Sequence, residues 1–157
     1  MASQPVRSSI LERVYQHIDA HFEAHLKRTQ AFVCQPSISA DGTGMSEMAE
    51  LLLGEIVAVG GQAELIATSG YPVVYGEIDN GAPKTLLVYG MYDVQPVTGE
   101  HWMVRDPFGG KIVDLPQHGP SLVSRGIFNT KGPLSAVFNT LESFAAVGAS
   151  SPVNLKF

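Results

Sequence analysis

The stretch "LLVYGMYDVQPV" (86–97) reads as an apolar strand that stops at a polar turn. Alternation along that strand puts Met91 and Asp93 on one side and Tyr92 on the other. A histidine in the place of Met91 would make a metal ligand, and Asp93 could orient its ring from behind. The stretch "SRGIFNTKGPL" (124–134) raises the same question at Asn129. An aspartate there could bridge two cations, whereas a neutral amide brings no negative charge. Each stretch looks like half of a metal site whose expected ligand has been exchanged.

Other reactive residue types carry weaker signals. His17, His21 and His25 lie four apart, so they face the same way on a helix and could bind a metal. Three histidines on one helix do not close a site, and the polar flank of a surface helix is the plainer reading. Cys34 has no nearby His or basic residue in the sequence, which reads as a packed, inert thiol. Ser37 and Ser39 lack a visible base and are expected to serve a turn. Arg125 and Lys131 can hold a loop through charge-assisted hydrogen bonds, while Gly126 and Gly132 permit its tight path. His101 and His118 read as surface histidines, with a replacement metal ligand as the alternative.

The elements that must position these residues follow from periodicity. Leu11, Val14, Ile18, Phe22 and Leu26 predict one amphipathic helix over 8–30, capped by Ser8 or Ser9. A loop is expected over 33–44. A second helix is expected over 46–61, capped by Ser46, with Glu47 in its first turn and Gly60-Gly61 at its end. Strands are expected at 63–68, 72–78 and 84–91, the last two joined through Asn80-Gly81. The third run is apolar throughout, which predicts cover on both faces. An irregular segment over 95–120 leads to "SLVSRG", a helix from Pro133 to Gly148, and a strand beginning in "SPVNLKF". Alternating strands and helices indicate an α/β sheet with helices on its faces.

The 157 residues suit one domain, with 45% hydrophobic residues, 16% charged residues and a formal net charge of −5. The acidic balance and the absence of a Lys/Arg cluster argue against nucleic acid as a partner. No stretch approaches the ~20 apolar residues of a membrane helix. The first residues lack a signal-peptide layout, and the single cysteine favours a reducing compartment; a cytoplasmic location is expected.

"LLVYGMYDVQPV", "WMVRDPF" (102–108) and "SRGIFNTKGPLSAV" together resemble the co-catalytic zinc aminoacylase, dipeptidase and succinyl-diaminopimelate desuccinylase family. Gly90, Asp93, Val94, Gln95, Pro96, Trp102, Pro107, Phe108, Arg125, Gly126, Lys131 and Gly132 match its motifs. By this resemblance Met91 stands where the family has a zinc-binding His, and Asn129 where it has the bridging Asp. Asp93 keeps the position of the carboxylate that orients the His; a carboxylate accepting backbone N–H bonds is the alternative.

The resemblance implies a zinc-exopeptidase-like mixed sheet flanked by helices, incomplete at the carboxyl end. Residues 1–157 would be the amino-terminal portion of a single catalytic domain. The Glu-Glu pair, the later ligands and the dimerisation domain would lie outside this chain, since Phe157 falls inside an apparent strand. The implied activity is hydrolysis of an amide-type bond in a small acylated amino acid, dipeptide or related amide by metal-activated water. Zinc or another divalent metal is implied, as one ion rather than two, or none given the exchanged ligands. A carboxyl-terminal remainder or partner chain is expected to complete the sheet, and a homo-oligomer is expected. The competing reading is a non-catalytic binding or regulatory relative with a decayed metal site.

Overall fold

The computed structural model describes residues 4–157. In chain order the elements are α1 (Gln4–Ala20), α2 (Phe22–Cys34), α3 (Met45–Ala58), β1 (Gln62–Ile66), β2 (Val73–Ile78), β3 (Thr85–Leu87), β4 (Lys111–Leu115), β5 (Gly119–Val123), α4 (Lys131–Ala146) and β6 (Asn154–Lys156). Strands β1, β2, β6 and β3 form a mixed sheet in that order, and β4 pairs with β5 in a separate hairpin. Within the sheet β1–β2 and β2–β6 are antiparallel, while β3–β6 is parallel. The expected mixed α/β sheet flanked by helices is what the chain adopts.

Helical packing fixes which face of the sheet is dry. Val74 of β2 is buried beside Met48, Ala49, Leu52 and Ile56 of α3, Phe32 of α2, and Leu134 and Phe138 of α4, and Ile78 of β2 is buried as well. Phe138 stacks on Phe157 with ring centroids 5.6 Å apart. The alternate residues Val73, Tyr75, Glu77 and Lys156 take the opposite face. There Tyr75 Oη donates to Glu77 Oε2 at 3.0 Å, and Lys156 lies 3.8 Å from the same carboxylate.

Several sequence expectations change. The helix expected over 8–30 is two helices that break at His21, where φ is −113° and ψ is 17°. A stripe with a strict four-residue spacing precesses by about 40° per step around a 3.6-residue helix. Val14 is therefore buried, while Phe22 is 59% exposed. Eleven residues past Val14, about three turns on, the buried face carries His25 instead. Helix α1 begins before Ser8 and Ser9, so neither caps it.

Helix α3 starts at Met45 behind Gly44, whose φ is 68°, so Ser46 lies inside the first turn rather than at the cap. Its end is as expected: Gly60 takes φ 88°, Gly60 N–H donates to Val57 O, and Gly61 N–H donates to Ile56 O. The same paired closure recurs at Gly148 and Ala149 after α4. Helix α4 begins at Lys131, two residues before Pro133, and a proline fits there because first-turn N–H groups have no helical partner.

The Asn80-Gly81 turn does not join two neighbouring strands, because β6 inserts between β2 and β3. It clasps β6 instead: Asn80 N–H and Ala82 N–H both donate to Asn154 Oδ1. Nor is the third run covered on both faces. β3 is short, it ends its sheet, and Leu86 and Leu87 are 52% and 71% exposed. The segment expected to be irregular holds β4 and most of the β4–β5 hairpin.

Candidate functional site

The carboxyl end of β3 runs over α4 into the Met91–Asp93 stretch. Gly90 permits this approach, since a Cβ there would sit 2.7 Å from Leu134 Cδ2. Beyond it, the loop after α2 straps the chain down. Val94 N–H donates to Ser37 O at 2.8 Å, and Ile38 bridges Val94 in parallel register. Ser37, fully buried, donates its hydroxyl to Tyr92 O at 2.6 Å. Ser39 donates to Asp93 Oδ2 at 2.7 Å. Ser39 was expected to serve a turn only; its contact with Asp93 spans 54 positions and is invisible to local pattern.

Met91 and Asp93 both line an open cavity of about 510 Å³, and so does Tyr92, which was expected on the other side; the three lie beyond the end of β3, where strand alternation no longer holds. Met91 is 42% exposed. Asn129, also exposed, is not among that cavity's lining residues, and its side-chain oxygen accepts from Thr130 Oγ1 at 2.7 Å. The Asn129–Thr130 peptide is cis.

The second motif is a latch. Arg125 N–H and Ser124 Oγ both donate to Pro107 O, at 2.7 and 2.9 Å. The Arg125 guanidinium stacks over Trp102 at 4.8 Å, pairs with Glu100 and donates to Pro96 O at 3.2 Å. Buried Arg125 Nε and Trp102 Nε1 have no hydrogen-bond partner among the described residues. Gly126 has φ 88°, and a Cβ there would meet Val94 Cγ1 at 2.8 Å. At Gly132 a Cβ would lie 2.0 Å from Ile127 O.

Lys131 is fully buried and donates through Nζ to Gln35 O. Desolvation pushes its ammonium down to about 8, with the Cys34 thiol opposing that shift. Cys34 differs from expectation in two ways: its side chain is exposed, and Lys111 and Lys131 both act to lower its pKa. Desolvation, followed by Asp106, outweighs them and raises the thiol, which keeps it a weak nucleophile.

The histidine ladder divides: His21 stays on the surface as expected, His17 is half-buried, and His25 packs between helices. His25, buried, donates from Nε2 to Glu142 Oε2 at 3.0 Å, and Arg28 reaches the same oxygen at 3.1 Å. The Ser143 hydroxyl donates to Asn139 O, so the 3.1 Å contact from His17 requires the proton on Nδ1. The His17 and His21 rings stack at 3.9 Å. His101 and His118 are exposed.

As a donor set these residues do not fit a paired-metal centre. The thioether of Met91 is soft and weak beside oxygen and nitrogen ligands, and Asn129 supplies no bridging charge. Among the described residues no group of three or more His, Cys, Asp or Glu side chains is placed to hold a metal ion. Nor is any described helix long and apolar enough to cross a membrane.

No family model matches the chain. It is 31% identical over 160 residues to the Cys-Gly metallodipeptidase dug1 of Schizosaccharomyces pombe, covering 92% of this chain and 33% of that protein. Among solved structures, an M20 family metallo-carboxypeptidase of Sulfolobus solfataricus superimposes with a TM-score of 0.74 at 37% identity, over 84% of this chain and 29% of that one. This chain belongs to the M20 metallopeptidase family. Human carnosine dipeptidase 1 shares the M20 fold with a TM-score of 0.81 at 25% identity, over 94% of this chain and 33% of that one. The chain thus spans about a third of the length of the M20 relatives it matches.

Proposed function

We propose that residues 1–157 form the amino-terminal portion of a hydrolase of amide-type bonds. Its substrate would be a small acylated amino acid, dipeptide or related amide. The observation that carries this reading is the retained frame: Asp93 held by Ser39 beside a cavity at the end of β3, and a fully buried Lys131 tying the 124–132 loop to Gln35. In this reading Asp93 is the catalytic-site carboxylate, and Arg125, Gly126, Lys131 and Gly132 shape the loop behind it. Relatives named for cleaving Cys-Gly and β-Ala-His dipeptides support the substrate class. A divalent ion, zinc or another, would draw its ligands from outside the described residues, because Met91 and Asn129 are poor donors.

The reading requires further polypeptide. β3 ends the sheet with Leu86, Leu87 and Tyr89 exposed, the kind of edge that invites an added strand. We assign that role to a carboxyl-terminal remainder or partner chain, in a cytoplasmic homo-oligomer. The second reading, a binding or regulatory relative, draws on the lack of a metal-holding group among the described residues.

The protein expressed from its complete gene decides between them. Hydrolysis of Cys-Gly, β-Ala-His or N-acyl amino acids would be measured together with metal content after mild dialysis. Turnover with about one ion per chain supports an atypical hydrolase, and about two would mean that other residues replace Met91 and Asn129. No turnover and no metal sinks the hydrolase and leaves the binding relative.

A further inference from the structure

The cavity beside Asp93 has a composition of its own. At about 510 Å³ it falls within the range of small-molecule sites. Leu87, Val88 and Met91 supply apolar wall, and Tyr71, Tyr89 and Tyr92 bring three phenol rings to its lining. Asp93 is the only charged side chain among the described residues that line it. Ser39 holds one oxygen of that carboxylate, Oδ2, at 2.7 Å. No hydrogen bond from the described residues engages the other oxygen, Oδ1, and a carboxylate accepts through both. Tyr92 is fixed as well, its hydroxyl donating to Pro72 O at 2.7 Å. With Met91 in the neighbouring position, Asp93 has no imidazole there to orient.

We propose that this cavity binds an organic ammonium ion carrying an apolar substituent, with the cation at Asp93 and the substituent against Leu87, Val88 and Met91. The charge selects for a cation, and a phenol face adds attraction to an ammonium group that a neutral or anionic ligand does not receive. The surrounding aliphatic wall selects against a small hydrated cation and for an amine with a hydrophobic body. This inference needs neither a metal nor bond cleavage, so it stands or fails separately from the hydrolase reading.

The test is calorimetric titration of the protein expressed from its complete gene with three ligands of one shape: phenethylammonium, 2-phenylethanol and 3-phenylpropionate. The ammonium ion is expected to bind about tenfold more tightly than the alcohol, since a charge-assisted bond is worth that much, and the propionate most weakly. Asp93→Asn is expected to erase the preference for the amine while leaving the alcohol's affinity in place. Should that variant fail to fold, the ligand series on the unsubstituted complete protein decides alone. Equal binding of amine and alcohol, or tighter binding of the propionate, overturns the proposal, as does a preference that survives Asp93→Asn. Binding of none of the three at millimolar concentration also overturns it and assigns the groove to packing against polypeptide.

Discussion

The loop that ends in Lys131 and the stretch beyond β3 that carries Met91 are built differently. Lys131 and Ser37 are fully buried and hydrogen-bonded, and Gly126 and Gly132 sit where a Cβ would collide. Met91 is 42% exposed, Phe128 is 91% exposed and Asn129 is exposed. The frame is closed while the tips that would do chemistry face solvent. Exchange at a tip removes a donor and little else; exchange in the frame moves backbone. Side chains at the tips can therefore be exchanged without moving the frame.

The largest expected effect is in the frame. Gly132→Ala places a methyl 2.0 Å from Ile127 O, a backbone atom with nowhere to go. Overpacking of this kind costs about 3 kcal/mol, a large share of a small domain's stability. A urea titration should show a much lower midpoint. A midpoint within error of the unsubstituted chain would mean that the loop is not the rigid frame described and would collapse the contrast.

A smaller effect sharpens the same point through pH. Lys131 titrates near 8 in the folded chain because burial disfavours its charge, against an ordinary value of 10.5. Between those values the unfolded chain holds more protons, so stability rises with pH through that window and the penalty is fully present below it. The expected gain is on the order of 3 kcal/mol. Cys34 works the other way: its raised pKa makes the folded chain hold a proton longer, so stability falls as pH climbs past the thiol's usual range. Urea midpoints of the Cys34→Ser chain, measured across this range, isolate the lysine. Adding Lys131→Met should flatten the rise; a flat profile before that change would show Lys131 hydrated and the frame open.

The contrast also explains what was legible in the sequence. The motif residues Asp93, Arg125, Lys131 and Gly132 stand out because a fixed local spacing carries them. The closures of α3 and α4 at Gly60 and Gly148 were readable for the same reason, since a positive φ favours glycine. Contacts between distant segments were not. Ser39 meets Asp93 only because Ile38 bridges Val94. β6 enters between β2 and β3 from more than seventy positions downstream, so the Asn80-Gly81 turn looked like a hairpin. His25 was read as a polar flank because its partner Glu142 lies 117 residues away. The exposed β3 edge misled for a further reason: an apolar run states that cover is wanted, not that this chain supplies it.

The smallest expected effect on stability falls at the tips. Met91→His together with Asn129→Asp replaces two exposed side chains, and exposed substitutions away from special features change stability by roughly 0.5 kcal/mol or less. Metal-free melting curves of the two chains should therefore nearly coincide. Their responses to zinc should not. A histidine at 91 would have Asp93 two residues on along the chain, already anchored by Ser39, to set its ring. An ion that binds only the folded form raises its melting temperature by mass action, so the double variant should gain a zinc-dependent shift larger than that of the unsubstituted chain. A metal-free loss well beyond roughly 0.5 kcal/mol would place Met91 or Asn129 in the frame after all. Coincident curves with an added zinc response would mean that residues 91 and 129 are tips whose identity the frame tolerates, because the backbone that carries them is held by Ser37, Arg125 and Lys131 instead.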